Sequence, residues 1–330
     1  MMAYAFVGKA LMARRAIPLL AVVLCASPAA AQESPATASS TANGTAIVVT
    51  GKATQPAPPP ASPPASGAGA PIVVTGKVQP PARKDVYDWA QDITRVDPGM
   101  VYEVALPRFA GPLCPGVLGL KTKYAEAMAD RMRGNAARLQ LKLASPGCSP
   151  NLLVAFVDSG QATLKELQAR HSDLFALVDA AERKELLTEN APVHVWNNIA
   201  VRWTGNGAPP AGWPKEKASV WGQLDRTSMP EAYDIHATLI LFDRASVLHL
   251  SLTQLADYAT MRGLSHTRAP AGDEPLTTIL SLFAGDRSKA PAELTRFDIG
   301  YLRSLYREAD NRPAVSKLLR VRREAEAQAH

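Results

Sequence analysis

Four stretches of the chain carry the hydrophobic pattern of β-strands. Leu152–Val157 is a continuous apolar run, which is typical of a strand buried on both faces of a sheet. Val193–Trp203 alternates between apolar and polar residues, and residues 235–242 are strongly apolar. In residues 139–143 three leucines alternate with polar residues, as in a strand with one buried face.

Helical periodicity fills the segments around these strands. Apolar residues recur there at spacings of three and four, which places them on one face of a helix. The predicted helices cover residues 85–96, 121–138, 162–187 with a break near 171–173, 251–266, 275–283, 293–309 and 315–330. Strands and helices mixed in this order indicate a single α/β (α+β) domain with a mixed sheet, spanning residues 85–330.

The helix at residues 251–266 is expected to be the central helix of this domain. Ser251 can cap its first turn, and Gln254 three residues later completes a capping box. Leucines and small residues recur along one face, which is therefore apolar and thin enough to pack closely. Gly263 is predicted to end the helix as a left-handed cap.

The end of this helix, G-L-S-H at residues 263–266, resembles the end of the metzincin zinc-protease signature, H-E-x-x-H-x-x-G-x-x-H. On that template Ala256 and Thr260 stand at the first two histidines. Asp257 stands at the glutamate and His266 at the third histidine.

Two further segments support the resemblance. Residues 294–306 are similar to the closing helix of matrixin-type metzincins, and residues 277–283 take the place of the methionine turn without containing a methionine. The chain is also similar to a set of uncharacterised exported bacterial proteins with the same degenerate helix. The resemblance implies a zincin-like domain.

The departures from the signature bear on the chemistry. A catalytic zinc site needs three protein ligands and an open position, and here two of the three ligands are absent. The resemblance therefore implies a non-catalytic domain with no metal and no cofactor. The alternative is a metal-dependent or Asp/His hydrolase with a rebuilt site, for which Asp257 and His266 are the candidate catalytic residues. His194, His236 and His249 are the other histidines that such a site could recruit.

The first 31 residues have the features of a secretory signal peptide. Arg14 and Arg15 precede an apolar run at residues 16–26, and small residues precede a cleavage position near Ala31–Gln32. The apolar run is too short to anchor the chain in a bilayer, so no transmembrane segment is expected after cleavage. This predicts a periplasmic or secreted protein.

Residues 32–84 are predicted to be a disordered linker, because they are rich in Pro, Ala, Ser, Thr and Gly and hold too few apolar residues to form a core. The hexapeptide I-V-V-T-G-K occurs twice within it. A β-branched run inside such a tether suits strand addition to the sheet edge of another protein. The candidate partner-binding residues are Ile47, Val48, Val49, Thr50, Gly51, Ile72, Val73, Val74, Thr75 and Gly76.

These repeats resemble the TonB box of outer-membrane TonB-dependent receptors. The resemblance implies TonB, or another envelope protein, as the partner. No other part of the chain resembles the plug or the barrel of such a receptor.

Cysteine usage and charge complete the picture. Cys114 and Cys148 remain after signal cleavage, and in an oxidising compartment they predict a disulfide. Both lie in Pro/Gly-rich segments that are predicted to be turns. The net charge is +6. In an exported protein this charge does not indicate a nucleic-acid partner.

Overall fold

The computed structural model describes residues 83–204, 228–271, 278–284 and 290–327. The α-helices are α1 (Arg83–Asp92), α2 (Thr122–Arg138), α3 (Gly160–Arg170), α4 (Ala180–Thr188), α5 (Arg244–Val247), α6 (Leu252–Leu264), α7 (Arg296–Arg307), α8 (Ala314–Leu318) and α9 (Val321–Glu326). Short 3-10 helices lie at Pro98–Met100, Ser172–Phe175 and Ile279–Phe283. The predicted signal peptide and both I-V-V-T-G-K repeats lie outside the described residues.

The strands form one mixed sheet. They are β1 (Arg108–Phe109), β2 (Pro115–Leu118), β3 (Leu152–Val157), β4 (Val193–Trp203) and β5 (Glu231–Asp243). β2, β3 and β5 are parallel neighbours, and the short β1 also runs parallel to β5. β4 lies antiparallel along the opposite edge of β5. The predicted α/β class with a mixed sheet is confirmed.

One face of the sheet packs against α6 and α2. Val154 of β3 and the β5 residues Ile240 and Phe242 belong to this larger core. Phe242 contacts Tyr258 of α6, with ring centroids 6.0 Å apart. β5 runs through α5 into α6, so the same stretch of chain forms both the centre of the sheet and the helix that covers it.

The other face of the sheet is covered by α3, the 3-10 helix Ser172–Phe175 and α4. Its smaller core contains Leu241 of β5 and Leu164 of α3. Trp196 of β4 stacks on Phe175, with centroids 5.1 Å apart. The sheet is therefore a middle layer between two helical layers.

Helix α6 is the central helix, as the sequence predicts, and its residues Leu255 to Leu264 are all buried. The capping box of Ser251 and Gln254 is present. The predicted left-handed cap is wrong, because Gly263 lies inside the helix and the chain leaves it in an extended conformation at Ser265. Gly263 serves close packing instead, since a Cβ at this position would lie 2.4 Å from Leu152 Cδ1.

The strand predicted at residues 139–143 is also wrong. Instead of pairing with a strand, the N–H groups of Leu139 and Leu141 donate to Ala136 O, at 3.1 and 3.0 Å, and so terminate α2. Gln140 between them takes a positive φ of 61°. Leu143 alone makes an isolated bridge, to Leu113. The alternation marks leucines that pack on the core from a turn.

The remaining helix predictions are confirmed with shifted ends. The break near residues 171–173 is present between α3 and the following 3-10 helix. Residues 315–330 do not form one helix, because α8 and α9 are separated at residues 319–320. The helix predicted at 275–283 is described from residue 278 and contains a 3-10 helix.

The predicted disulfide joins Cys114 to Cys148, with their Cα atoms 6.2 Å apart. It fixes the segment before β2 to the turn before β3. Of the two segments predicted to be turns, residues 146–150 contain a turn at 146–147, whereas residues 112–116 lead into β2, where Pro115 and Gly116 pair with Leu152 and Leu153. Within the described ranges, no helix is long and apolar enough to cross a membrane.

Candidate functional site

Asp257, which stands at the glutamate of the metzincin template, is fully buried on α6. Its carboxylate accepts hydrogen bonds from Arg131 Nε at 2.8 Å and Arg131 Nη2 at 2.7 Å. It also accepts from Asn135 Nδ2 at 2.7 Å and from the Leu294 backbone N–H at 2.8 Å. These four bonds occupy the acceptor positions of both oxygens. Asp257 therefore joins α2, α6 and the segment before α7.

The positions of the first two template histidines face the same network. Thr260 is buried, donates to Ala256 O at 2.8 Å and accepts from Asn135 Nδ2 at 3.2 Å. Ala256 is fully buried. This side of α6 is a packed contact with α2 and leaves no room for a substrate.

His266 lies just beyond α6 and pairs with α4. Its Nε2 lies 3.3 and 3.2 Å from the two carboxylate oxygens of Glu182. Burial acts to raise the pKa of the Glu182 carboxyl, but the hydrogen bond and charge of His266, together with nearby arginines, lower it overall. Among the described residues Asp257 and His266 share no hydrogen-bond partner, so this part of the structure does not join them into a catalytic pair.

The remaining histidines do not gather around His266. His194 is buried in β4 against Gly160, and its Nε2 has no hydrogen-bond partner within the described residues. Burial lowers the pKa of His194. His236 and His249 are exposed. Nowhere in the described part of the chain do three His, Cys, Asp or Glu side chains converge in a way that could hold a metal ion.

A cavity of about 280 Å³ opens on the opposite side of α6. We call it the α6 pocket. It lies between α6, the end of α4, the start of β4 and the 3-10 helix Ile279–Phe283. Tyr258, Arg262 and Arg268 line it from α6 and the segment that follows, together with Arg95, Glu182 and Phe283.

Tyr258 and Arg262 form the floor of the α6 pocket. The Tyr258 ring packs edge-on against Phe283, with centroids 5.0 Å apart. Arg262 Nη1 donates to the Tyr258 hydroxyl at 3.1 Å, and its guanidinium lies 5.8 Å from the ring centroid. Arg262 is only 9% exposed. Within the described residues its guanidinium forms no ion pair with a carboxylate, so a buried positive charge faces the cavity.

The residues that line the α6 pocket offer a second match to the spacing of the metzincin signature. Tyr258, Arg262 and Arg268 are four and six residues apart, the spacing of the three histidines in H-E-x-x-H-x-x-G-x-x-H. The glycine match selected a placement two residues earlier, on the buried α2 side. The missed signal is Arg262 itself, a charged residue between Met261 and Gly263 in the most apolar part of the helix.

No family model, curated protein or solved structure matches the chain. The site is therefore interpreted from its own residues. The candidate partner-binding residues of the two repeats lie outside the described part of the chain.

Proposed function

We propose that the protein is an exported, non-catalytic binding protein of the cell envelope, built on a degenerate zincin-like domain. The observation that carries this proposal is that Tyr258 and Arg262 of α6, and Arg268 just after it, line the α6 pocket. Two of the three are arginines, which stay protonated and cannot coordinate zinc. The one carboxylate of the template, Asp257, is consumed by structural hydrogen bonds.

The zincin-like part of the proposal draws support from the chain path. Strand β5 leads through α5 into the buried central helix α6, which is the arrangement a zincin-like fold would have. The spacing of Tyr258, Arg262 and Arg268 repeats that of the zinc ligands. We infer that this domain keeps the cleft of a metalloprotease and uses it for binding.

Metal content of the exported chain, from Gln32 onward, tests the non-catalytic role. After dialysis without chelator, mass spectrometry should find zinc far below one ion per chain, and chelator should leave the unfolding temperature unchanged. Stoichiometric zinc, or casein cleavage abolished by chelator, would overturn the proposal in favour of a hydrolase with a rebuilt site.

The two I-V-V-T-G-K repeats supply the second half of the proposed function. We propose that each adds as a strand to the periplasmic domain of TonB or to a similar sheet edge. Their sequence supports this, because each repeat is β-branched and lies in a polar, proline-rich tether. Added strands bind through backbone N–H and C=O groups, so the binding should be sensitive to proline.

A pull-down with the periplasmic domain of TonB tests the tether. Proline at Val48 and Val49, and at Val73 and Val74, removes two adjacent N–H groups from each repeat, one of which must face the partner. The unsubstituted chain should be retained and this variant lost.

The matched control places proline beside the repeats, as Ala53→Pro and Ala70→Pro, and should bind like the unsubstituted chain. Equal retention of both variants would rule out strand addition by the repeats.

A further inference from the structure

We infer that the α6 pocket is a carboxylate-binding site that holds the acid group of a small molecule or a peptide C-terminus against Arg262. The inference deepens the proposed binding function and rests on it, since it takes the cleft beside α6 to be a ligand site.

The first argument is that Arg262 is buried and, within the described residues, makes no salt bridge, although its charge helps to lower the pKa of the Glu182 carboxyl. A buried guanidinium without a directly bonded anion is destabilising, because it has lost water without gaining full compensation. Arg262 is nine-tenths buried, and the one hydrogen bond that its guanidinium makes within the described residues is to a neutral phenol. A carboxylate entering the pocket would place an anion in direct contact with the guanidinium and accept hydrogen bonds from two of its N–H groups.

Arg95 provides a second and independent observation in the same cavity. Its Nε is buried and has no hydrogen-bond partner among the described residues. Its Nη atoms are already engaged, with Glu185 at 3.3 and 3.4 Å and with Glu182 at 3.6 Å. One donor of a residue that lines the pocket is therefore not satisfied by the neighbouring carboxylates of the described residues.

Two of the carboxylates that line the α6 pocket are bonded to other side chains. Glu182 feels the charge of Arg262 but is bonded to His266 and Arg95, and Glu185 is bonded to Arg95. Arg268 commits its Nε to Asp92 O at 2.8 Å. Among the described residues of the lining, Arg262 is the buried arginine that makes no salt bridge.

The charge balance of the lining favours a monoanion. Three arginines and three glutamates line the pocket. A doubly charged phosphate would therefore be repelled by Glu182, Glu185 and Glu189 more strongly than a singly charged anion. A carboxylate carries half that charge and its planar shape matches the guanidinium. Leu186, Val195 and Phe283 also line the cavity and offer apolar contact to a side chain beside the acid group. A volume of about 280 Å³ suits one residue-sized group.

Calorimetric titration with the exported chain tests the inference. The probes are N-acetyl-L-leucine and its amide, N-acetyl-L-leucinamide, which differ only in the charged group. The acid should bind saturably and the amide at least about tenfold more weakly, since one charged pair is worth that much or more. An amide that binds as well as the acid, or an acid that does not bind, would overturn the inference.

Two further probes identify the source of the carboxylate and the kind of anion. The peptide acetyl-Ala-Ala-Leu with a free C-terminus should bind more tightly than N-acetyl-L-leucine if the ligand is a peptide end, and no better if it is a small acid; both results support a carboxylate site. Inorganic phosphate should bind more weakly than either. Phosphate that binds more tightly than both acids contradicts the inference.

Variants at Arg262 separate ligand binding from a structural role. Arg262→Met keeps the length of the side chain and should weaken acid binding at least about tenfold, while the unfolding temperature of the free protein stays equal or rises because a buried charge is removed. Arg262→Lys should bind the acid more tightly than Arg262→Met and more weakly than the unsubstituted chain, since lysine keeps the charge but loses the paired donors. Arg138→Met, at the exposed end of α2, is the matched control and should bind as the unsubstituted chain does.

The outcomes distinguish this inference from the proposed function. A metal-free, inactive protein that does not bind the acid keeps the non-catalytic role and loses the carboxylate site. An Arg262→Met variant that binds normally, or that unfolds at a clearly lower temperature, assigns Arg262 a structural role and overturns the inference.

Discussion

Arg131 on α2 holds Asp257 on α6 through two parallel hydrogen bonds of 2.8 and 2.7 Å. Asp257 is fully buried, whereas Arg131 is partly exposed and also reaches Glu293 at 3.0 Å. The hydrogen bond to Asp257 raises the pKa of the Arg131 guanidinium, which stays charged. This pair joins the central helix to α2, so Asp257 is a structural residue of the helix packing.

Replacing Asp257 should therefore lower the free energy of unfolding of the domain. Asp257→Ala leaves Arg131, Asn135 and the Leu294 N–H without their acceptor, and we expect a loss of about 3–5 kcal/mol of unfolding free energy. Urea denaturation followed by circular dichroism measures it. Asp130→Ala is the control, because Asp130 is exposed and lies next to Arg131 on α2; it should change the unfolding free energy by less than about 0.5 kcal/mol. Equal effects of the two substitutions would refute the structural role.

The disulfide between Cys114 and Cys148 should contribute strongly to stability. It closes a loop with a sequence separation of 34, for which loop-closure entropy predicts about 3–4 kcal/mol. The double variant Cys114→Ser, Cys148→Ser should show this loss in denaturant titration. Dithiothreitol should destabilise the unsubstituted chain by a similar amount and leave the double variant unchanged. If reduction leaves the unsubstituted chain as stable as before, the contribution is absent.

Because Lys317 is buried, we expect the free energy of unfolding to rise with pH above neutrality. Burial lowers the pKa of its ammonium group to about 7, the nearby charge of Arg108 adds to the effect, and the charges of Asp310 and Glu308 oppose it. Between pH 7 and the ordinary lysine pKa the unfolded chain binds more protons than the folded one, so the unfolding free energy increases with pH.

The size of this effect can be measured by urea denaturation between pH 7 and 9.5. We expect a gain of about 2–3 kcal/mol for the unsubstituted chain. Lys317→Met should be more stable at pH 7 and should flatten the profile, whereas Lys123→Met, at an exposed position on α2, should keep it. A profile with the same slope in Lys317→Met would assign the pH dependence to other groups.

Strand β3 and the central helix could be predicted from the sequence because both are buried along nearly their whole length. Leu152–Val157 is apolar throughout since both of its faces are covered, and the Ser251 capping box is a local signal that needs no tertiary contact. Residues 139–143 mislead for a tertiary reason. Leu139 and Leu141 pack on the core from a turn, and alternation alone does not distinguish that from a strand.

The α6 pocket could not be predicted, because its position depends on which side of α6 faces α2. Residues 255–264 are all buried, so hydrophobicity does not reveal the orientation of the helix. The packing contact of Asp257 with Arg131 decides it, and these two residues are far apart in the sequence. Gly263, which stands at the glycine of the metzincin signature, packs closely against Leu152.

That close approach gives a sharp test of α6 packing, because the same substitution should have opposite effects at two helical glycines. A Cβ on Gly263 would meet Leu152 Cδ1 at 2.4 Å in a fully buried contact, so Gly263→Ala should lose about 1–3 kcal/mol of unfolding free energy. A Cβ on Gly134, inside α2, would meet nothing within 4 Å, so Gly134→Ala should gain about 0.5–1 kcal/mol.

Urea denaturation measures the unfolding free energy of both variants. The double variant Leu152→Ala, Gly263→Ala should lose less than the sum of the two single variants, since removing the leucine relieves the clash. A stabilised Gly263→Ala variant would show that α6 lies farther from β3 than the structure places it.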